Sequence, residues 1–298
     1  MRKTKEEWIL TFRKVGDSIL SKLSKSQKSQ KDKASEINKR LKKYREDEIV
    51  RINAAAKKES WDNQMLLHEV LLLTYASYIA MLEYRNKVWG YDYMAFARRI
   101  GELWEPFCKL AFYYPVRNLA LINPPDFDEE QNRIKHDAAE YIESLELSEE
   151  IKAELKRHYD IPWTMVDSGG IKLRLDLHFE QNGIHYHCDF KSGFSSNEKG
   201  NTNRLLLVAS IYHSLGELEK TMMFVRQAED ENNHYLQTLK NSPYWEVYCA
   251  DDGYAAMKEF TGFDLRKWLD ENVDWEHDIS TELKQHLEHN DLLKYLTW

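Results

Sequence analysis

One segment of the chain alternates apolar and polar residues so regularly that it strongly favours a β-hairpin. Residues 171–191 read as two strands joined by a turn at Gln181-Asn182-Gly183, a sequence that favours a tight chain reversal. Alternate side chains of a strand point to opposite faces of the sheet. The apolar face is therefore expected to carry Leu173, Leu175, Leu177, Phe179, Ile184, Tyr186, Cys188 and Phe190.

The opposite face of this hairpin concentrates ionisable side chains. Because facing residues on paired strands lie about 5 Å apart, Asp176, Asp189 and Lys191 can converge there. Two carboxylates beside an ammonium group can bind a hard cation and act on a phosphate. A solvent-exposed, salt-bridged face is the alternative interpretation. The full polar set is Lys172, Arg174, Asp176, His178, Glu180, His185, His187, Asp189 and Lys191.

Three histidines on the same face allow a different metal to be considered. His178, His185 and His187 carry imidazoles, which bind zinc and other transition metals. A His-x-His pair on a strand is typical of all-β, cupin-like sites, whereas this chain is mostly helical. Cys188 belongs to the apolar face and cannot join such a site. His187, next to Asp189 in the pleat, can still assist a site built on the acids or contact DNA.

The rest of the chain is helical at first and mixed later. The predicted fold class is α/β (α+β), a mixed central sheet flanked by helices with an added N-terminal helical region. Pro106 should kink its helix or begin a new one. The predicted helices are 4–24, 36–58, 61–88, 93–112, 129–145, 148–159, 202–219, 253–260, 264–271 and 280–296, and the later strands are 221–225 and 245–249. Residues 24–35 read as a linker or a frayed helix.

Composition indicates a soluble protein of a reducing compartment. The three cysteines have no close pairing, and the N-terminus is charged rather than like a secretory signal. The longest apolar run, Val70 to Leu82, has 13 residues and is too short to span a bilayer. We therefore expect a cytoplasmic protein without a membrane segment, in which this run forms a buried core helix.

Charge is distributed unevenly along the chain. Residues 1–60 hold 18 Lys and Arg against 9 Asp and Glu, while the whole chain has a net charge of −8. A basic N-terminal arm or flank beside an acidic body that uses a metal fits this asymmetry, since phosphate contacts need basic side chains. The alternative is a set of solvent-exposed helices that bind no partner.

The hairpin resembles the PD-(D/E)xK nuclease superfamily, which includes the type II restriction endonucleases. Asp189-Phe190-Lys191 matches the tripeptide, and Asp176 lies 13 residues upstream on the preceding strand. The literal Pro-Asp is absent because Leu175 precedes Asp176, and Asp167 is a rival first acid. In many members a preceding helix reads Arg-x-Gly-x-x-aromatic-Glu. Residues 99–105 match this pattern, with Glu105 as the helix acid.

The resemblance covers residues 95–260 and implies a restriction-endonuclease-like core, so the predicted domains are 1–90, 91–262 and 263–298. It implies a type II restriction-type endonuclease that hydrolyses double-stranded DNA at a specific site with Mg²⁺, or Mn²⁺ in its place. Asp176, Asp189 and Glu105 would bind the metal, with Glu102 as the alternative helix acid. Lys191 would hold the attacking water or stabilise the transition state.

Partners follow from the same resemblance. A palindromic target would imply a homodimer, because protein symmetry then matches site symmetry. The residues expected to contact DNA follow the second strand: Ser195, Ser196, Asn197, Lys199, Asn201, Asn203 and Arg204. For this segment, a plain polar loop with a helix cap at Thr202 or Asn203 is the alternative.

Two other functions remain open for the whole chain. The first is a less specific repair or phage-defence nuclease of the same superfamily. The second, from another class, is a non-catalytic helical protein that binds nucleic acid or acts as a scaffold.

Overall fold

The computed structural model describes residues 2–164, 173–195 and 197–298, which divide into two compact units. One unit consists of Met1–Leu119 with Ala250–Trp298, and the other is Ala120–Cys249. In chain order the elements are α1 (Lys5–Ser24), α2 (Gln30–Glu59), α3 (Asn63–Val88), α4 (Tyr93–Tyr113), β1 (Ala120–Leu121), α5 (Phe127–Ser144), α6 (Glu149–Thr164), β2 (Leu177–Gln181), β3 (Ile184–Lys191), α7 (Lys199–Leu215), β4 (Glu219–Val225), α8 (His234–Lys240), β5 (Trp245–Cys249), α9 (Ala250–Thr261), α10 (Leu265–Asn272), α11 (Trp275–Asp278) and α12 (Thr281–His289).

Helix α3 is the centre of the first unit because it is apolar around nearly its whole circumference. Residues 70–85 are buried without interruption, and both α1 and α2 pack against this helix. Among the described residues it is the one helix long and apolar enough to cross a membrane, and 83% of its apolar stretch is buried inside the protein. The prediction of a buried helix over this run is confirmed.

Helix α1 belongs to this core. Its Trp8, Ile9 and Phe12 are buried. Arg13 donates to the Glu83 carboxylate with N–O distances of 2.6 and 3.1 Å, and the Glu83 side chain is only 2% exposed. Helix α1 therefore packs as an integral part of this core.

Several predicted elements have different limits in the structure. Helix α2 starts at Gln30, so the linker before it is shorter than expected, and α4 continues through Pro106 without a new start. Helix α7 begins at Lys199 instead of residue 202, and the last long helix ends at His289. The short strand β1 was not predicted, because two residues give no detectable alternation.

The two units also divide the chain differently from the predicted domains. Helix α4 and the C-terminal helices from α9 onward are grouped with the N-terminal helices, whereas the predicted boundaries were at residues 90 and 262. Apolar helices need a partner surface, and sequence patterns alone do not identify which one.

The second unit is built on a five-stranded mixed sheet with the order β1-β2-β3-β4-β5. Strands β1, β2 and β3 pair antiparallel, whereas β3, β4 and β5 pair parallel. Parallel neighbours need a crossover, and α7 and α8 occupy the two connections. This arrangement confirms the α/β class, a mixed sheet with helices.

Helix α7 and the sheet share one apolar cluster. Leu205, Val208 and Ala209 of α7 pack in it with Met223 and Val225 of β4. In the register of the parallel pair, Asp189 is aligned with Met223 and Lys191 with Val225. Because aligned residues project to the same face, the acid and the lysine lie on the side of the sheet where α7 packs.

The ion pair of α1 with α3 generates a stability prediction. We expect Arg13→Ala to lower the free energy of unfolding by about 2–3 kcal/mol, because the buried Glu83 loses its charged partner. Lys14→Ala, at the exposed neighbouring position, should change it by less than about 0.5 kcal/mol. Urea unfolding of both variants measures the difference. Equal losses would show that the pair contributes no specific stability.

Candidate active site

The β2–β3 hairpin has the predicted turn and the predicted register. Asn182 and Gly183 adopt φ angles of +56° and +80°, which Asn and Gly tolerate best. His178 is aligned with His187, so the polar residues of the two strands share one face as expected. The first strand is shorter than predicted, however, because it starts at Leu177. Residues 171 and 172 lie outside the described residues.

The structure therefore corrects the prediction that Leu173 and Leu175 lie in the first strand, on its apolar face. They precede the strand and pack in the apolar cluster around α7, on the side that was expected to be purely polar. The polar face is also not a solvent-exposed surface. His178, His187 and Asp189 are 6%, 1% and 2% exposed, which argues against a simple salt-bridged exterior.

Asp189 is the most constrained of the candidate acids. Its side chain forms an ion pair with Lys191 through Oδ1, and Arg204 Nη2 lies 3.8 Å from Oδ2. Burial, together with the neighbouring Asp176 carboxylate, raises the pKa of Asp189 to about 6, although Lys191 and Arg204 oppose the rise. Ionising this group in the folded protein is therefore costly without additional positive charge.

Asp176 lies in the bend that leads into β2 and is half-buried. Its N–H donates to the Cys188 carbonyl at 3.0 Å, and its Oδ2 accepts from Phe190 N–H at 2.9 Å. These two bonds place the side chain next to Asp189 on the neighbouring strand. The structure thus brings together Asp176, Asp189 and Lys191, as the hairpin pattern predicted.

Glu105 is in a different unit from these acids. It lies on α4, half-buried, and accepts from Lys109 Nζ at 2.6 Å. Glu102, the alternative helix acid, is exposed and pairs with Arg98 and Arg99 at 3.3 and 3.4 Å. The participation of either acid in a metal site stays a prediction.

The residues expected to contact DNA are divided between a loop and a helix. Ser195 and Asn197 are exposed after β3, while Ser196 lies outside the described residues. The other candidates, Lys199, Asn201, Asn203 and Arg204, fall in the first turns of α7. The alternative of a cap at Thr202 or Asn203 is wrong, since the residue before the helix is Glu198, whose carbonyl accepts from Thr202 Oγ1 at 2.9 Å.

The histidines form a hydrogen-bonded chain. Nδ1 of His178 and Nδ1 of His187 are 2.8 Å apart, and His187 Nε2 lies 2.6 Å from Glu219 Oε2. His185 Nδ1 lies 2.9 Å from Glu219 Oε1, and the remaining nitrogen of His178 accepts from Leu175 N–H at 3.0 Å. Both ring nitrogens of His178 and of His187 are therefore already engaged.

Burial disfavours the charged form of the two central histidines. Burial, together with the neighbouring His187, lowers the pKa of His178 to about 4. Burial also lowers the pKa of His187, although Glu219 opposes this shift. The His187 ring stacks on Tyr212 with centroids 3.7 Å apart and planes 15° apart.

Glu219 and Tyr212 were not anticipated from the sequence. Glu219 contacts His187 because β4 pairs in parallel with β3. Tyr212 stacks on His187 because α7 packs on that face of the sheet. They could have been identified only from the register of β4 against β3 and from the packing of α7 on the sheet.

The two clustered acids fit a hard cation that keeps water ligands. Asp189 Oδ1 is buried and, among the described residues, has Lys191 as an ion-pair partner but no donor in hydrogen-bond geometry. Carboxylate oxygens are the ligands that Mg²⁺ prefers, and Mg²⁺ is often held by one or two of them. No group of three or more His, Cys, Asp or Glu side chains placed to hold a metal occurs in the described part of the chain. The rest of the coordination would fall to water and substrate.

No protein-family model matches the chain, and no curated protein or solved structure matches it either.

The raised pKa of Asp189 generates a prediction about stability and pH. The unfolded chain releases this proton near pH 3.9 and the folded protein near pH 6, so stability falls between these values and stays lower above them. Asp189→Asn, which cannot ionise, should raise the free energy of unfolding by roughly 1–3 kcal/mol at pH 7.5. The gain should shrink at pH 4.5.

The exposed Asp230→Asn is the matched control and should be neutral at both pH values. Chemical unfolding at the two pH values provides the comparison. An Asp189→Asn protein less stable than the wild type at pH 7.5 would contradict the interpretation of Asp189 as a strained, buried acid.

Proposed function

We propose that this protein is a Mg²⁺-dependent endonuclease of the PD-(D/E)xK type that hydrolyses phosphodiester bonds of double-stranded DNA. The observation that carries the proposal is the cluster of Asp176, Asp189 and Lys191 on one face of the β2–β3 hairpin, with Asp189 buried. A buried carboxylate whose pKa is raised and whose neighbours are charged is more typical of a functional site than of a structural ion pair.

The order of the elements supports this assignment. An antiparallel hairpin bears the acids, α7 follows, and β4 then pairs in parallel with β3. The same order of acidic strand, strand with the Asp-x-Lys tripeptide, helix and further strand characterises the superfamily that the sequence resembles. The proposal of a restriction-endonuclease-like core depends on this likeness and on the matching residues together.

The place of the acids in the sheet also favours a binding site. Asp189 and Lys191 are among the last residues of β3, at the carboxyl ends of the parallel strands. In open α/β sheets, ligands bind outside these ends because the connecting loops leave a crevice there. A DNA phosphate could approach the acids from this edge.

Asp176 and Asp189 would hold the metal ion, which when bound would offset charge on the scissile phosphate and acidify a water molecule. Lys191, whose side chain is 20% exposed, keeps its ammonium group at Asp189 and can donate to the oxygen of the attacking water or stabilise the pentacovalent transition state. Arg204, with a side chain 41% exposed, can contact the phosphate of the bound strand.

The remaining alternatives make different predictions about activity. A non-catalytic nucleic-acid-binding or scaffold protein would show no cleavage with any metal. A less specific nuclease of the same superfamily would yield a smear, whereas a restriction-type enzyme yields discrete fragments. Restriction-type specificity, and a homodimer on a palindromic target, remain part of the proposal.

Digestion of a mapped plasmid tests the proposal directly. We expect cleavage with Mg²⁺ or Mn²⁺, none with EDTA, and none with Ca²⁺, whose looser coordination often binds without turnover. Asp176→Asn and Asp189→Asn should abolish cleavage and leave the protein folded, while Asp230→Asn should cut normally. Full cleavage in EDTA would contradict the metal-dependent mechanism.

The role of Lys191 is tested by its removal. We expect Lys191→Ala to slow single-turnover cleavage by roughly two to four orders of magnitude, with a much smaller effect on DNA affinity. The exposed Lys199→Ala should alter affinity more than rate, because it lies on α7 and has no ion pair with Asp189 among the described residues. A Lys191→Ala enzyme that cuts at the wild-type rate would remove this residue from the mechanism.

A further inference from the structure

The backbone just before Asp176 is held by one side chain of β2 and one side chain of α7. Leu175 N–H donates to His178 Nε2 at 3.0 Å, and the Leu173 carbonyl accepts from the Tyr212 hydroxyl at 3.0 Å. Both bonds are buried. They fix the residues immediately upstream of Asp176, in a stretch that belongs to no strand.

We infer that His178, His187 and Tyr212 are positioning residues that set the place of the Asp176 carboxylate; this inference rests on the proposed nuclease function. Asp176 itself donates its N–H to the Cys188 carbonyl and accepts from Phe190 N–H, and the two upstream bonds add to these contacts by fixing the backbone that precedes it. A ligand carboxylate must be held within a fraction of an ångström of its working position. The upstream bonds supply that restraint.

Hydrogen-bond direction determines which nitrogen of each histidine carries the proton. Because His178 Nε2 accepts from Leu175, its single proton must lie on Nδ1 and point to Nδ1 of His187. His187 Nδ1 then accepts, so the His187 proton lies on Nε2 and is donated to Glu219. The Glu219 carboxylate thus selects the tautomer that leaves His178 Nε2 free to accept from Leu175.

Tyr212 connects the two contacts. Its ring stacks on His187, and its hydroxyl reaches Leu173, so α7 restrains both the imidazole and the backbone. Burying two neutral imidazoles in a sheet costs desolvation that an apolar pair would avoid. That cost is reasonable at a place where backbone position matters, since the outer hydrogen-bond partners of metal ligands usually change metal affinity 10- to 100-fold when removed.

Two substitutions at position 178 separate positioning from packing. The amide oxygen of His178→Gln reaches about as far as Nε2 and can still accept from Leu175, whereas the shorter His178→Asn can replace only Nδ1. The probe is Mn²⁺ alone, titrated into the full-length protein and followed by electron paramagnetic resonance. We expect the Gln variant to bind within about threefold of the wild type and the Asn variant about tenfold or more weakly.

Two further variants complete the set. Tyr212→Phe keeps the ring on His187 and removes only the hydroxyl bond to Leu173, so it should weaken Mn²⁺ binding even if His178→Asn fails to fold. His185→Gln is the matched control, because His185 contacts Glu219 but is 44% exposed and has no bond to Leu175. It should bind Mn²⁺ like the wild type. Equal losses in the Gln and Asn variants would overturn the inference.

Amide hydrogen exchange of metal-free protein provides the independent readout. We expect the Leu175 amide to be protected in the wild type and in His178→Gln, and to exchange much faster in His178→Asn. Unchanged protection in the Asn variant would refute the positioning role. If the wild type binds no Mn²⁺ while the exchange pattern is as expected, the metal-dependent function fails and the restraint on the backbone before Asp176 stands.

Discussion

The buried carboxylate of Asp189 is the constraint on which the candidate site depends. An acid that is 2% exposed needs positive charge nearby, and the second unit supplies Lys191 on the same strand and Arg204 on α7. The position of Lys191 follows from the two-residue period of the strand, whereas that of Arg204 follows from the packing of α7 on the sheet face that carries the acid. The pKa of Asp189 still rises to about 6, so these cations offset its burial only in part. A divalent cation would complete the compensation.

The same sheet face contains a second group of polar side chains, which are hydrogen-bonded to one another in a chain. The chain from Leu175 through His178 and His187 to Glu219 consists of neutral imidazoles and one carboxylate, with donors and acceptors in a fixed order. A buried network of this kind destabilises the fold when one of its donors or acceptors lacks a partner, and it favours a single arrangement of the core when every group is hydrogen-bonded. Here it ends at the backbone before Asp176, which connects the histidines to the stretch that leads to the acids.

Part of this arrangement could be predicted from local pattern alone. The alternation over the hairpin and the Asn182-Gly183 turn determine which side chains share a face, and the register of β2 with β3 has His178 opposite His187 as expected. The long helices were equally visible, since α3 is apolar on every side. Element limits were less predictable. Strand β2 starts at Leu177, later than the alternation indicated, because Leu173 and Leu175 pack with α7 instead of continuing the ladder.

By itself the sequence determined the hairpin, its polar face, and the convergence of Asp176, Asp189 and Lys191, because a two-residue period and a tight turn act over short distances. Tertiary structure alone decided that this face is buried and that Glu219 and Tyr212 meet the histidines. It also decided that the basic N-terminal helix is part of a core. These contacts join residues that are far apart in the chain. They depend on the register of β4 against β3 and on how the helices pack, and no local sequence pattern predicts either.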